Sequence, residues 1–217
     1  MSIDKQLITI AANQEKVYNA GYEKGKAEGG IDYDIFWDSF QNYGNPVSYE
    51  VAFVEGRMPN ELYNPKYPIV CSSSNTSARF MYHNNTTITD TKVPIDVTAI
   101  TTSNVLSNTF SCFGSNYKSS LETIAELIVA ESTDYPNAFM NCNKLKNITI
   151  TGTIGKSIDF KWSPLNQKSI ESVYEALSTT TTGQTCTFKK TAVNAAFTDE
   201  EWKALTDAKS NWTFTLV

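Results

Sequence analysis

The chain has one histidine, His83, and any Ser-His-Asp or Cys-His centre would have to use it as the base. It stands in Met81-Tyr82-His83-Asn84-Asn85, a polar turn, where a solvated role is expected and a catalytic one is not. With a single histidine and no Cys-x-x-Cys pair, neither a histidine-rich nor a thiolate zinc site can be assembled. The four cysteines, Cys71, Cys112, Cys142 and Cys186, are spread widely and are expected as small buried apolar residues without disulfides. Asp32, Asp34 and Asp38 are the one acidic group whose spacing suggests the paired carboxylates of glycoside hydrolysis. On a helix, Asp34 and Asp38 share a face and Asp32 lies near the start, where negative charge suits the dipole, so the structural role is preferred.

Two further patterns fail on inspection. Gly21-Tyr-Glu-Lys-Gly25-Lys26 has one residue too few between its glycines for a phosphate loop, lacks the following Ser/Thr, and trails a helix instead of a strand. Asn-x-Ser/Thr sequons at Asn75, Asn84, Asn85, Asn147 and Asn211 are what a chain rich in Asn and Thr produces by composition. No calcium-loop motif occurs. The expectation is a non-enzymatic protein with no cofactor and no metal.

The residues that recur do so as building material. Phe110-Ser-Cys112-Phe113 precedes Leu121-x-x-Ile124, and Phe139-Met-Asn-Cys142 precedes Leu145-x-x-Ile148-Thr-Ile150, with the Leu-x-x-Ile pairs twenty-four residues apart. A period in the twenties that joins a helix-forming aromatic/Cys half to a short apolar strand predicts a solenoid. Its core is expected from Phe110, Cys112, Leu121, Ile124, Phe139, Cys142, Leu145, Ile148 and Ile150. Phe80-Met-Tyr82 supplies an earlier aromatic half, and Val93-Pro-Ile-Asp-Val97 an earlier strand whose Pro94 suits only an edge or irregular position. Tyr67 to Cys71 is a candidate first strand, and Ser157 to Lys161 a further short one. Ile170, Val173, Tyr174 and Leu177 form a helix face with Asn166 as N-cap. A strand over Thr185-Cys-Thr-Phe188 follows. Thr198-x-x-Glu201 is a capping box opening a helix with Trp202, Leu205 and Ala208, and Trp212-Thr-Phe214-Thr-Leu216 alternates as a final strand.

The N-terminal third differs. Ile3, Leu7, Ile10, Gln14, Val17 and Gly21 step by four and three along a helix over residues 3 to 28, a heptad seam narrow enough to favour self-association or anchoring. Gly25, Gly29 and Gly30 end it. Tyr33, Phe36, Trp37, Phe40 and Tyr43 then form a dense aromatic face, expected as a cap over the solenoid's first end, with a sugar-stacking platform as the sharper alternative. The organisation predicted is 1–30 helix, 31–77 aromatic cap and 78–217 repeats.

Composition bounds the partners. Net charge is −5, and the only arginines are Arg57 and Arg79, so the concentrated positive charge that tracks phosphates is missing and no nucleic acid is expected. No run approaches the length of a bilayer span, so no membrane insertion is expected, and the first residues carry no secretory signal.

The segment Asn137 to Ile150, with Thr91 to Val97 and the tail from Ser163 through Trp212-Thr-Phe, resembles the BspA-type leucine-rich repeats of bacterial surface proteins and of phages that infect gut bacteria. The likeness covers roughly residues 78–217. The leading helix and Tyr33-Asp-Ile-Phe36-Trp37 are similar to the leader of phage tail or fibre proteins that carry such repeats. The resemblance implies an α/β fold, a short leucine-rich-repeat (BspA-like) solenoid of helix–strand units behind an N-terminal oligomerisation or anchoring helix. It implies a virion protein of the tail, fibre or head-decoration kind, made in the host cytoplasm. Its expected partners are itself, as a trimer, other virion proteins through the N-terminal helix, and a host cell-surface protein or glycan. A bacterial adhesin is the alternative, and a carbohydrate-active enzyme using the early acids a third.

Overall fold

In the computed structural model of the chain, the described residues are 68–71, 78, 81–101, 105–112 and 119–217. The seam residues Ile3, Leu7, Ile10, Gln14 and Val17, the aromatic segment and Asp32, Asp34 and Asp38 lie outside them. The described residues form a mixed α/β fold with two parallel sheets and three helices.

Short runs of β-branched residues build the first sheet. Its strands β1 (Ile69–Val70), β2 (Pro94–Asp96), β3 (Thr123–Val129) and β4 (Asn147–Gly152) lie side by side in chain order, all parallel. Ile69 pairs with Ile95, Ile95 with Leu127, and Ile124 with Ile148. Because β1 joins this sheet, the parallel pairing starts ahead of residue 78. Pro94 is interior, between β1 and β3, and not at an edge as its type suggests. It is the first residue of β2, and the Asp96 carbonyl, which accepts from Cys71 N–H, shows that this parity of β2 turns to β1, where pairing has only just begun. The twenty-four-residue offset holds at Ile124↔Ile148. It then shifts, because β3 carries a bulge between Ile124 and Leu127. The buried Thr91 hydroxyl accepts from Ala125 N–H at that irregularity, 3.0 Å away.

Each strand of this sheet hands over to a second leg. Residues 81–84, 105–112 and 134–140 stack on one another through main-chain bonds: Tyr82 N–H to Thr109 O, Phe110 N–H to Ala138 O, Cys112 N–H to Met140 O. These legs were expected to be helical and are turns instead. Asn84, Asn108, Asn137 and Asn141 all sit at positive φ, near +55 to +60°, the left-handed region that asparagine tolerates and a helix does not use.

Beyond β4 the two legs exchange roles. The first leg becomes helical: α1 (Gln167–Ala176), capped by Asn166 accepting from Ser169 N–H, then α2 (Lys190–Ala196) and α3 (Asp199–Ala208). The second leg becomes the parallel sheet β5 (Ile158–Phe160), β6 (Gln184–Phe188) and β7 (Trp212–Leu216). A helix has no main-chain groups to offer the β4 edge, so side chains serve: Ser169 Oγ accepts from Ile148 N–H and Ser172 Oγ from Ile150 N–H, both at 2.9 Å. The capping box of α3 forms in full. α2 is absent from the sequence reading, which lacked a periodic stripe there to find.

One ladder of rings runs through both regions. Tyr82, Phe110, Phe139, Phe160 and Phe188 stack in succession, with centroids 5.7, 5.6, 4.4 and 6.2 Å apart. The first three come from turn legs and the last two from β5 and β6. Trp202 of α3 then meets Phe188 and Phe214 edge-on and ends the parallel stacking.

Candidate functional site

His83 is half-buried, and its Nδ1 lies 3.0 Å from Ser111 Oγ. This is more than the solvated turn residue expected from sequence. It is nevertheless not a base beside a nucleophile. Ser111 is fully buried and its hydroxyl donates to the Asn108 carbonyl at 3.0 Å, which leaves Oγ as the acceptor from the imidazole. Burial holds the His83 pKa below its ordinary value, against bonds to the main chain of Ser111 and Asn108 that raise it.

The cysteines are all buried free thiols. Burial, aided by Asp96, pushes Cys71 up to about 12, and burial raises Cys142 and Cys186 as well. Cys71, Cys142 and Cys186 therefore offer no thiolate near neutral pH. Cys142 Sγ sits 3.1 Å from the Phe110 carbonyl, between layers. The nine residues expected as solenoid core, Phe110, Cys112, Leu121, Ile124, Phe139, Cys142, Leu145, Ile148 and Ile150, are all buried. Among the sequons, Asn85 is buried and spends its Oδ1 on the N–H groups of Thr87 and Ile88, and Asn211 donates to the carbonyls of Ser178 and Thr181.

Two polar clusters stand at the junction of the two regions. In one, the exposed carboxylate of Glu131, after β3, accepts from Ser178 Oγ at 2.6 Å, Thr181 Oγ1 at 3.1 Å and Thr180 Oγ1 at 3.4 Å. Those hydroxyls, Ser178 foremost, hold its pKa below the ordinary carboxylate value. Trp212 Nε1 and Asn211 Nδ2 both donate to the Ser178 carbonyl, so the loop after α1 is held from two sides. This carboxylate is occupied with joining segments.

The other cluster lines an open cleft of about 390 Å³. Asp134, Tyr135, Pro136 and Asn137 form one wall, and Lys156, Ser157, Ile158 and Asp159 with Thr185 and Thr187 form the other. Its position has a structural cause. Main-chain bonds tie residues 105–112 to 134–140, but among the described residues none joins 135–140 to β5, so the stacking opens where a turn leg meets a strand. Along β5 and β6, Ile158, Phe160, Cys186 and Phe188 point inward, while Asp159, Thr185 and Thr187 face out. Asp134 is partly held, its Oδ1 accepting from Val105 N–H at 2.6 Å. Asp159 pairs with Lys161 at 2.9 Å, and Lys161 Nζ lies 5.9 Å from the ring centroid of Trp162, an exposed indole.

No protein-family model, curated protein or solved structure matches the chain. Its chemistry therefore rests on the geometry. Among the described residues no group of three His, Cys, Asp or Glu is placed to hold a metal ion, and no helix is long and apolar enough to cross a membrane. The cleft residues Asp134, Lys156 and Asp159 belong to no motif in the sequence. The available signal was the alternation in Ser157-Ile-Asp159 and Thr185-Cys-Thr187, which sets polar groups two apart on one outward face.

Proposed function

We propose that the chain is a non-enzymatic virion protein of a bacteriophage, of the tail, fibre or head-decoration kind. Its residues 78–217 act as a short leucine-rich-repeat solenoid of the BspA-like class, and its N-terminal helix drives self-association. The observation that carries the reading is the continuous ring ladder from Tyr82 to Phe188, since layers that bury their apolar faces only against each other are built to offer outer surface. That surface would meet a host cell-surface molecule or a neighbouring virion protein. Three heads on one stalk bind far more tightly than one, which is the gain from the seam of Ile3, Leu7, Ile10 and Val17. The resemblance to phage leaders supports the virion setting, with made-in-cytoplasm assembly into the particle.

Light scattering on the 217-residue chain and on one lacking residues 1 to 30 tests the association: a trimer that becomes a monomer is expected, and a monomer in both overturns it. Proteomics of purified phage particles tests the setting, and absence of the chain from particles of a phage that encodes it overturns that part.

A further inference from the structure

The cleft between residues 134–137 and β5–β6 stands where the main-chain stacking opens, and its lining is chemically mixed in a particular way. Two carboxylates, Asp134 and Asp159, stand with one amide, Asn137, one ammonium, Lys156, and the hydroxyls of Ser157, Thr185 and Thr187. Carboxylates accept from vicinal hydroxyl groups, while amides and short hydroxyls both accept and donate. The lining sets two acids against one lysine, Lys156, and Lys161 outside it pairs with Asp159, so nothing favours an anionic ligand. The volume of about 390 Å³ lies at the small end of ligand sites, which span ~300–1,000 Å³.

Two further observations point to a ligand. Tyr135 is 4% exposed and lines the cleft, yet its buried hydroxyl has no hydrogen-bond partner, a capacity that proteins seldom leave unused. Trp162, the exposed aromatic among the described residues at 38%, lies outside the lining, its ring 5.9 Å from the Lys161 ammonium that pairs with Asp159 of the cleft wall. An indole is apolar on its face and polar at one edge, which suits the C–H face of a sugar ring beside wet polar groups.

We infer that this cleft binds a neutral oligosaccharide, with one ring against Asp134, Asn137, Asp159 and Thr187 and the adjoining ring laid on Trp162. A peptide is the less fitting occupant, since β5 offers only three residues of edge. The inference rests on the proposed reading of the chain as a surface-binding head, and names the ligand that head would take.

The test is titration calorimetry on the 217-residue chain with maltotriose, mannotriose, N,N′,N″-triacetylchitotriose and lacto-N-tetraose. Sialyllactose, a heparin tetrasaccharide and a random heptapeptide mixture serve as contrasts. Binding of at least one neutral sugar is expected, weakened about tenfold or more by Trp162→Ala and by Asp159→Asn, and only partly by Trp162→Phe. Thermal melting of each variant checks folding, which exposed Trp162 should leave intact. No binding by any neutral sugar at millimolar concentration, preference for the acidic sugars or the peptides, or binding indifferent to both substitutions would each overturn the inference. Binding of purified chain to host cells that persists through any of these failures leaves the proposed surface-binding role standing, so the two are separable.

Discussion

The early layers, through β4, and the late layers, from β5 on, bury the same kind of core with opposite secondary structure. In the early layers the first leg is a strand and the second a set of turns. In the late layers the first leg is a helix and the second a strand. The ring ladder does not register the change, since Phe139 of a turn stacks on Phe160 of a strand at 4.4 Å, closer than any other step. What a layer must supply is therefore a large apolar side chain at the right height, and the backbone that carries it is set by local chemistry. Asparagines at positive φ make turns, and a capped stripe such as Asn166 to Leu177 makes a helix. The exchange also has a consequence at each leg: serine side chains close the β4 edge, while the other leg gapes into the cleft.

If the ladder unites the regions, truncating it at the junction should be felt by both. Phe139→Ala removes a ring that is 1% exposed and stacked on both sides, and a loss of about 3–5 kcal/mol is expected. Urea denaturation followed by near-ultraviolet circular dichroism and by tryptophan fluorescence should show one shared transition moving to lower urea. Two transitions, with the late one unmoved, would mean that the regions fold separately and that the stacking at the junction is passive.

Gly152 sharpens the same comparison at the turn that leaves β4. Its φ is +98°, and a Cβ there would run into the Val129 carbonyl oxygen of the preceding layer. Both the strain and the overlap fall on backbone that cannot swing away, so Gly152→Ala is expected to destabilise by about 1–3 kcal/mol. Thermal melting measures it. A neutral result would show that the layer spacing at the junction is slack.

The sequence disclosed the late layers better than the early ones, for a physical reason. Thr198 to Glu201 and Asn166 to Ser169 are local signals, complete within four residues, and both caps form. The strand over Trp212 to Leu216 is readable from its alternation. Aromatic and cysteine spacing predicts helices for the turn legs, because spacing alone cannot separate a helix from a tight coil. The asparagines that decide it act through φ, which spacing does not reveal. The cleft was illegible because it arises between Asp134 and Asp159, residues brought together only by the exchange of legs. β3 likewise hid its bulge, since Ile124, Leu127 and Val129 all face inward although their spacing breaks the period of two.

A smaller pair of substitutions asks whether turn legs and helices depend on local chemistry to the same degree. Thr198→Ala removes the cap of α3, and about 1 kcal/mol of destabilisation is expected. Asn137→Ala places an alanine at φ 54°, with a loss of about 1–2 kcal/mol, while Asn137→Gly should hold stability or raise it slightly. Thermal melting of the three variants decides the matter. Equal losses for Asn137→Ala and Asn137→Gly would place the asparagine's contribution in its side-chain contacts and not in its backbone conformation.

The least of the expected effects is a mild acid sensitivity confined to the early layers, which hold the chain's single histidine. Burial keeps the folded-state pKa of His83 below 6.5, so as pH falls the unfolded chain takes up the proton first. The contribution is present in full above pH 6.5 and is lost as pH drops through the folded value. Glu131 at the junction acts in the same direction, but its window opens only below 4.5, because its hydroxyl partners lower a carboxylate pKa. The two are thus separated on the pH axis. His83→Gln keeps a hydrogen-bonding side chain and removes the titration, so the melting temperature of the variant should change less than that of the parent between neutral pH and about one unit below 6.5. A parent and variant that lose stability in parallel over that range would place the acid-sensitive group elsewhere and leave the Ser111 contact as packing alone.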